Sequence, residues 1–546
     1  MIWFKTLVII SWVMLEACHK DRADLLLYNG LIYTVNSTFE VVDALAIRDG
    51  KIIDLGTTAG LREKYQAAQE VDLQDKPVFP GFIDPHCHFY GYGLGLRLAD
   101  LTGSVSAVDV VARLKKHHQQ FPSTWIVGRG WDQNDWESKK FPDKYILDKE
   151  FPDVPVYLTR IDGHAAWVNS KALALAGIRQ GTAVQGGEVL ADARGTTGIL
   201  LDNAMAIVEK HLPDIDQKGR LRALQAAEKN CFAVGLTLVG DAGLDKHAVL
   251  LMDSLQQAGH LKMQVYAMLN PTQENIDHFM NKGIYHTARM SVRSVKLFAD
   301  GALGSSGALL TAPYSDDPRN RGLQVSTTGF LTKICNLAYD KGYQVNTHCI
   351  GDSAIRLMLK IYSSLLPDHN DLRWRIEHAQ VVHPEDLPLF AQYGIIPSVQ
   401  TSHATSDMYW AGERLGQERL KTAYAYRTLL AQNGWLANGS DFPVESINPL
   451  YGFYAAFTRK DLKGYPPGGF QAQEALTREE ALKAMTIWAA KACHEDSVTG
   501  SLEMGKSADF VILDGDIMRI NESEIPEVRV LETFINGEKV YSVNGQ

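Results

Sequence analysis

The chain has 546 residues, enough for one large domain with a smaller one beside it, or for several domains. Hydrophobic residues make up 45% and charged residues 22%, which places it among ordinary globular proteins. Lys plus Arg number 54 against 64 for Asp plus Glu, a net charge of −10, which argues against nucleic acid as the main partner because phosphate binding needs a basic surface.

At the N-terminus, Lys5 precedes the apolar run Thr6–Leu15, too short to span a bilayer but of the length of a signal-peptide core. The following Leu15-Glu16-Ala17-Cys18 resembles the bacterial lipobox, in which cleavage before the cysteine exposes it for lipid attachment; Glu16 stands where a small or uncharged residue is usual. Residues 1–18 are therefore expected to be a signal segment and Cys18 a lipidation site. That implies a periplasm-facing lipoprotein of the bacterial cell envelope, with membrane contact only through the lipid anchor. An ordinary cleaved signal to the periplasm, or an apolar start on a cytoplasmic enzyme, is the alternative. The six cysteines are irregularly spaced without a CxxC pair, so neither a disulfide framework nor a cysteine zinc site is indicated.

From Asp24 to Val78 short apolar runs alternate with turns. Asn29-Gly30 and Asp49-Gly50 between such runs are hairpin signals. The C-terminus repeats the style at Ala508–Leu513, Val528–Phe534, Asn536-Gly537 and Lys539–Tyr541. One composite β-sandwich built from both termini, residues 21–78 plus 495–546, is expected. The middle, 79–494, alternates apolar runs with helical stretches, the pattern of βα units and a parallel sheet. Eight runs suit the strands of a (β/α)₈ TIM barrel: Val78–His88, Leu236–Asp241, Met263–Leu269, Ser294–Asp300, Gln344–His348, Arg373–His378, Ile395–Gln400 and Trp435–Asp441. The long gap after the first run predicts an inserted subdomain over about 122–202, rich in Trp and Gly at Gly128–Asp132. Long barrel insertions sit on loops and often cover the active site.

The strongest chemical signal is Pro80-Gly-Phe-Ile-Asp-Pro-His86-Cys-His88 at the end of the first run. Residues two apart on a strand point the same way, so His86 and His88 can reach one ion. Lys296, His348, His378 and Asp441 each fall at or near the C-terminal end of a separate later run. Barrel enzymes build their sites on that face, so these residues converge once the barrel closes. Singly, each has a bland explanation, such as a core histidine, a surface charge or a helix cap. In the insertion, His164 and Trp131 are candidate substrate contacts, with Asp132 and Trp136 beside Trp131. His403 is a further candidate, and Asp300 is a substrate contact or a partner orienting a ligand histidine, as Asp241 and Asp352 would be.

The motifs PGFIDPHCH, GRGWDQNDW, DGHAAWVNSKAL, VKLFADGALGS, NTHCIGD, RIEHAQ and GSDFPVE occur in the order seen in the amidohydrolase superfamily. The chain resembles that superfamily over nearly its whole length, on the branch that includes N-substituted formamide deformylases. The resemblance implies that His86, His88 and Asp441 bind one divalent metal and that His348 and His378 bind a second. It also implies that Lys296 bridges them as a CO₂-derived carbamate, an anionic two-oxygen ligand. Zinc is the expected metal, with one or two ions bound. Asp441 would move the proton from metal-activated water to the leaving amine.

These residues predict a hydrolase for a carbon–nitrogen bond other than a peptide bond, acting on an N-acyl or N-formyl amine. A heterocycle deaminase, and an ester, lactone or carbamate hydrolase, remain open on the same site. A lipoprotein that binds a small molecule without turnover is the alternative from another class. A small-molecule substrate is the expected partner, and a homodimer is compatible with the sequence.

Overall fold

In the computed structural model residues 20–545 are described, so the signal segment and Cys18 lie outside the described residues. Eight parallel strands form the centre: β1 (Phe82–Cys87), β2 (Leu236–Leu244), β3 (Gln264–Leu269), β4 (Met290–Phe298), β5 (Gln344–Cys349), β6 (Arg375–His378), β7 (Ile396–Val399) and β8 (Ala437–Asn438). They pair in chain order from β1 to β8. Just beyond the strand ends, the Asp441 N–H donates to the His86 carbonyl and the His88 N–H to the Phe442 carbonyl, both at 2.8 Å. These two bonds draw β8 against β1, and they do so at residues marked as metal ligands by the sequence.

The expected barrel is thus present, with each of the eight runs supplying its strand. The strands are buried on both faces, as strands of a parallel sheet covered by helices are. The helix Thr328–Lys341 shows how the outer layer is built. Thr327 caps it by accepting from the Phe330 N–H, and Gly342 ends it at φ 69°. Between these stops Leu331, Ile334, Cys335 and Ala338 recur at helical spacing and are buried. Truncating one such leucine to alanine costs roughly 2–5 kcal/mol.

Both termini build the β-sandwich. One sheet is purely N-terminal, in the order Lys51–Gly56, Ala44–Arg48, Asp21–Tyr28, Tyr65–Asp72. The other interleaves the ends of the chain: Glu538–Ser542, Val530–Ile535, Phe510–Leu513, Pro77–Pro80, Leu31–Tyr33, Val41–Val42. Leu25, Leu27, Ile47, Val78, Phe510 and Phe534 fill the space between. Asp49-Gly50 and Asn536-Gly537 form the expected hairpins, each with both residues at positive φ. Asn29-Gly30 does not; it carries the chain from one sheet to the other. The strand Asp21–Tyr28 is flanked on both sides, by Ala44–Arg48 and Tyr65–Asp72, which leaves no edge for a hairpin partner.

The insertion is larger than its sequence suggested. Its six-stranded sheet begins at Ala99–Asp100, not near residue 122, and runs to Gly195–Asp202. The helix Ala107–Gln120, whose period is that of any barrel helix, packs Val110 and Leu114 into this sheet's core. In the same core the rings of Trp136 and Trp167 each lie 6.1 Å from that of Trp131.

Candidate metal centre

The C-terminal face of the barrel gathers the predicted ligands. His86 ends in β1 and His88 follows it, so both imidazoles project from one rigid strand end. Asp441 lies three residues past β8 with φ 59°. Its Oδ1 stands 3.1 Å from His88 Nε2 and 3.4 Å from His86 Nε2. Gly439 permits the approach, since a β-carbon there would fall 2.7 Å from Asp84 Oδ1 and 3.0 Å from the His86 backbone nitrogen. Lys296 on β4 is 1% exposed, and its Nζ lies 3.1 Å from His86 Nε2. The His348 and His378 rings are 4.5 Å apart, and His378 is 5.0 Å from the His86 ring. All six side chains that the sequence singled out as metal ligands therefore meet at one place.

Neighbouring acceptors decide which imidazole nitrogen faces the cluster. His86 Nδ1 pairs with Glu377 Oε2, whose other oxygen pairs with Arg375. His88 Nδ1 donates to the Ala242 carbonyl at 3.1 Å, and His378 Nδ1 donates to Gln400 Oε1 at 2.7 Å. Each of these bonds leaves the Nε2 lone pair free to bind a cation. His348 is turned the other way, with Nε2 3.4 Å from the Gly301 carbonyl, which frees its Nδ1.

The electrostatics match. Burial, with Lys296 beside it, brings the His86 imidazole down to about 4. Burial likewise holds His348 and His378 well below the usual histidine range, so all three are neutral ligands at pH 7. Burial alone would raise the Asp441 carboxyl, but the imidazoles of His88 and His86 hold it well below the usual carboxylate range. Burial also lowers the Lys296 ammonium to about 8. Asp441 Oδ1 is buried and accepts no hydrogen bond among the described residues, a costly state for a carboxylate unless a cation sits beside it. His86, His88 and Asp441 offer three donor atoms within 4.8 Å of one another, a set that fits a divalent cation.

A cavity of about 410 Å³ opens onto His348, His378 and Asp441. His164 and His403 both line it. His164 comes from the insertion; its Nδ1 lies 2.7 Å from Asp202 Oδ1, and its ring lies 4.7 Å from His348. His403 stacks on His378 with centroids 6.0 Å apart.

Two expected substrate contacts are corrected. Trp131 is fully buried, and its Nε1 donates to the Leu158 carbonyl inside the insertion's core, because a large apolar ring gains more there than in a polar cavity. Asp132, its neighbour, does line the cavity and pairs with Arg160. Asp300 is also fully buried and accepts from the Leu309, Ile350 and Gly351 N–H groups. It ties the loop after β4 to the loop after β5, lies 3.8 Å from His348 Nε2 and does not reach the cavity. Sequence reasoning missed Glu377, Arg375 and Gln400. The signal was there in Arg375-Ile-Glu377-His378, since two charges in a buried parallel strand must meet partners inside the barrel.

A family model for the amidohydrolase family matches residues 69–541. YtcJ of Bacillus subtilis is 33% identical over 94% of this chain and 98% of its own. An N-substituted formamide deformylase of Arthrobacter pascens is 26% identical over 96% and 99% of the two chains. Among solved structures, an uncharacterised metal-dependent hydrolase of Pyrococcus horikoshii superposes with a TM-score of 0.75 at 29% identity, covering 91% of this chain and 99% of that one.

Proposed function

Because the chain belongs to the amidohydrolase family, we propose that it hydrolyses the carbon–nitrogen bond of a small N-acyl or N-formyl amine at the His86–His88–Asp441 centre. The observation that carries the reading is the Asp441 carboxylate. It combines an unpartnered buried Oδ1 facing two histidines with a place on the wall of the cavity. The full-length likeness to a formamide deformylase supports the bond type.

In this proposal His86, His88 and Asp441 hold one divalent ion, zinc by the imidazole-rich donor set, and His348 and His378 hold a second. Bound there, the metal supplies Lewis acidity, which lowers the pKa of water and polarises the substrate carbonyl. Lys296 would join these ligands as its carbamate: the amine nitrogen forms a bond to the carbon of CO₂, one C=O π bond becomes the carboxylate, and one proton passes to solvent, leaving an anion. The lowered Lys296 pKa supports this, because only the free amine is nucleophilic. Asp441 faces the histidines with Oδ1, so Oδ2 is the atom that takes a proton from water and returns it to the leaving nitrogen. His164, oriented by Asp202, and His403, stacked on His378, hold the acyl portion between them. The N-terminal segment is proposed to direct the enzyme to the periplasmic face of the envelope, anchored through Cys18.

The test is turnover by metal-loaded protein of N-formyl and N-acetyl amines, beside heterocyclic amines and simple esters. Amide cleavage with release of the free amine is expected, at about two metal equivalents per chain by plasma mass spectrometry. Ammonia release from a heterocyclic amine, with no amide cleaved, overturns the proposal.

A further inference from the structure

A second cavity, of about 350 Å³, adjoins the one over the metal centre. The two share Asp135, Ser406, Glu445 and Ser446, so this wall is common to both. Glu445 faces His403 Nε2 at 4.0 Å, and His403 stacks on His378, which places the shared wall one side chain away from the metal ligands. At the outer rim Tyr409 and Tyr465 are exposed and stacked, with centroids 5.7 Å apart.

The charges of this cavity do not balance. Asp84 is taken up by Ser440, and Asp461 accepts from the Tyr409 hydroxyl and the Lys463 and Tyr465 N–H groups. Lys460, the cavity's cation among the described residues, is drawn away to Glu522 at 2.6 Å. Glu445 accepts from Ser406 Oγ, while Asp135 makes no ion pair among the described residues. Glu445 and Asp135 therefore line the space with no ion pair to a Lys or Arg among the described residues. Two polar groups on this wall are open to a ligand, and of these the Ser402 hydroxyl is the one that can accept from an ammonium, because an amide nitrogen only donates. Asn438 is 4% exposed and its Oδ1 accepts from the Thr401 N–H. Its Nδ2 lies beside Gly452 at the cavity and has no partner among the described residues. The buried Ser402 Oγ, also on this wall, is likewise unpartnered.

We propose that this cavity is a subsite for a protonated amine, so that the substrate is an N-acyl or N-formyl derivative of a diamine, with the distal ammonium held between Glu445 and Asp135. The ammonium satisfies carboxylates of opposite charge in a partly enclosed space, where such pairs are screened less than in bulk water. The tyrosine pair at the rim offers aromatic faces to a passing cation. The acyl half of this statement rests on the amide reading above; recognition of the amine does not.

The experiment is titration calorimetry of the metal-loaded enzyme with 1,4-diaminobutane and with pentan-1-ol, a chain of similar length that carries no ammonium. The diamine is expected to bind about tenfold tighter or better, with affinity falling as salt rises. Glu445→Gln and Asp135→Asn should each shrink that preference, and Glu445→Asp should restore part of it. Asp135 is exposed and its carboxylate makes no side-chain hydrogen bond, so its substitution leaves folding intact. Equal dissociation constants for the diamine and the alcohol, or a preference that survives both substitutions, overturns the inference. In parallel, kcat/KM for N-acetyl-1,4-diaminobutane should exceed that for N-acetylpentylamine about tenfold, and the ratio should fall toward unity in Glu445→Gln. If no amide is cleaved while the diamine still binds through Glu445, the amide reading falls and the amine subsite stands. If both amides are cleaved equally well, the subsite falls alone.

Discussion

Asp441 faces the histidines and, in the proposed reaction, also moves a proton, and a substitution separates the two only partly. Asp441→Asn keeps the shape and removes the base, so kcat/KM should fall by about 10²–10⁴. Metal content measured on the same sample shows how much of that loss is lost metal; activity within a few-fold of the parent would rule out Asp441 as the proton carrier. Lys296 gives the pH prediction. Burial depresses its pKa to about 8, so the amine is protonated below that value and free above it. At constant dissolved CO₂ and saturating metal, CO₂-dependent reactivation of the apo-enzyme should slow about tenfold per pH unit from pH 8 to pH 6. A flat profile over that range would show that no carbamate is being formed there. Both residues were legible in the sequence because they fall at strand ends together with the other candidates and within motifs that resemble the superfamily's. Glu377 and Gln400 were not, because an acceptor for an imidazole N–H looks like any other polar residue until the barrel places it opposite one.

At the level of elements, the loops after the strands position the ligands, and Asp300 fastens two of them together. Its oxygens accept from three backbone N–H groups on the loops after β4 and β5. Asp300→Asn substitutes a donor for one acceptor and leaves a buried N–H unsatisfied. Stability by urea titration should drop by about 1–3 kcal/mol, and the His348 ligand site should bind metal more weakly. An unchanged midpoint would mean that the loops hold without it. The eight strands were legible because each is a short apolar run between helical stretches. The start of the insertion was not, because the helix Ala107–Gln120 has the same amphipathic period whether it packs on the barrel or on the inserted sheet.

At the level of the whole molecule, the chain's two ends share one sheet. Phe510–Leu513 pairs with Pro77–Pro80, which leads through Gly81 into β1 and so to His86. Ending the chain at Ala508 would remove Phe510, Ile512 and Phe534 from the sandwich core, about 1.5–3 kcal/mol each. Against a usual total of about 5–15 kcal/mol, such a protein should fail to accumulate in soluble form. A soluble, metal-binding truncate on gel filtration would show that the barrel stands without the composite sandwich. That both ends are β-rich could be read from the turn dipeptides, but which strand lies beside which could not. Asn29-Gly30 and Asn536-Gly537 are the same dipeptide, and one bridges two sheets while the other closes a hairpin.

The sequence by itself determined the barrel, the six side chains that gather at its mouth, and the family to which the chain belongs. It could do so because strand period, strand-end position and ligand type are local properties of the chain. Tertiary structure alone decided that Trp131 is core, that Asp300 fastens loops, and that Glu377 and Gln400 fix the imidazoles. It also decided that Glu445 and Asp135 share a wall between two cavities. These roles depend on what lies opposite each side chain across the closed barrel, a distance set by packing and not by spacing along the chain.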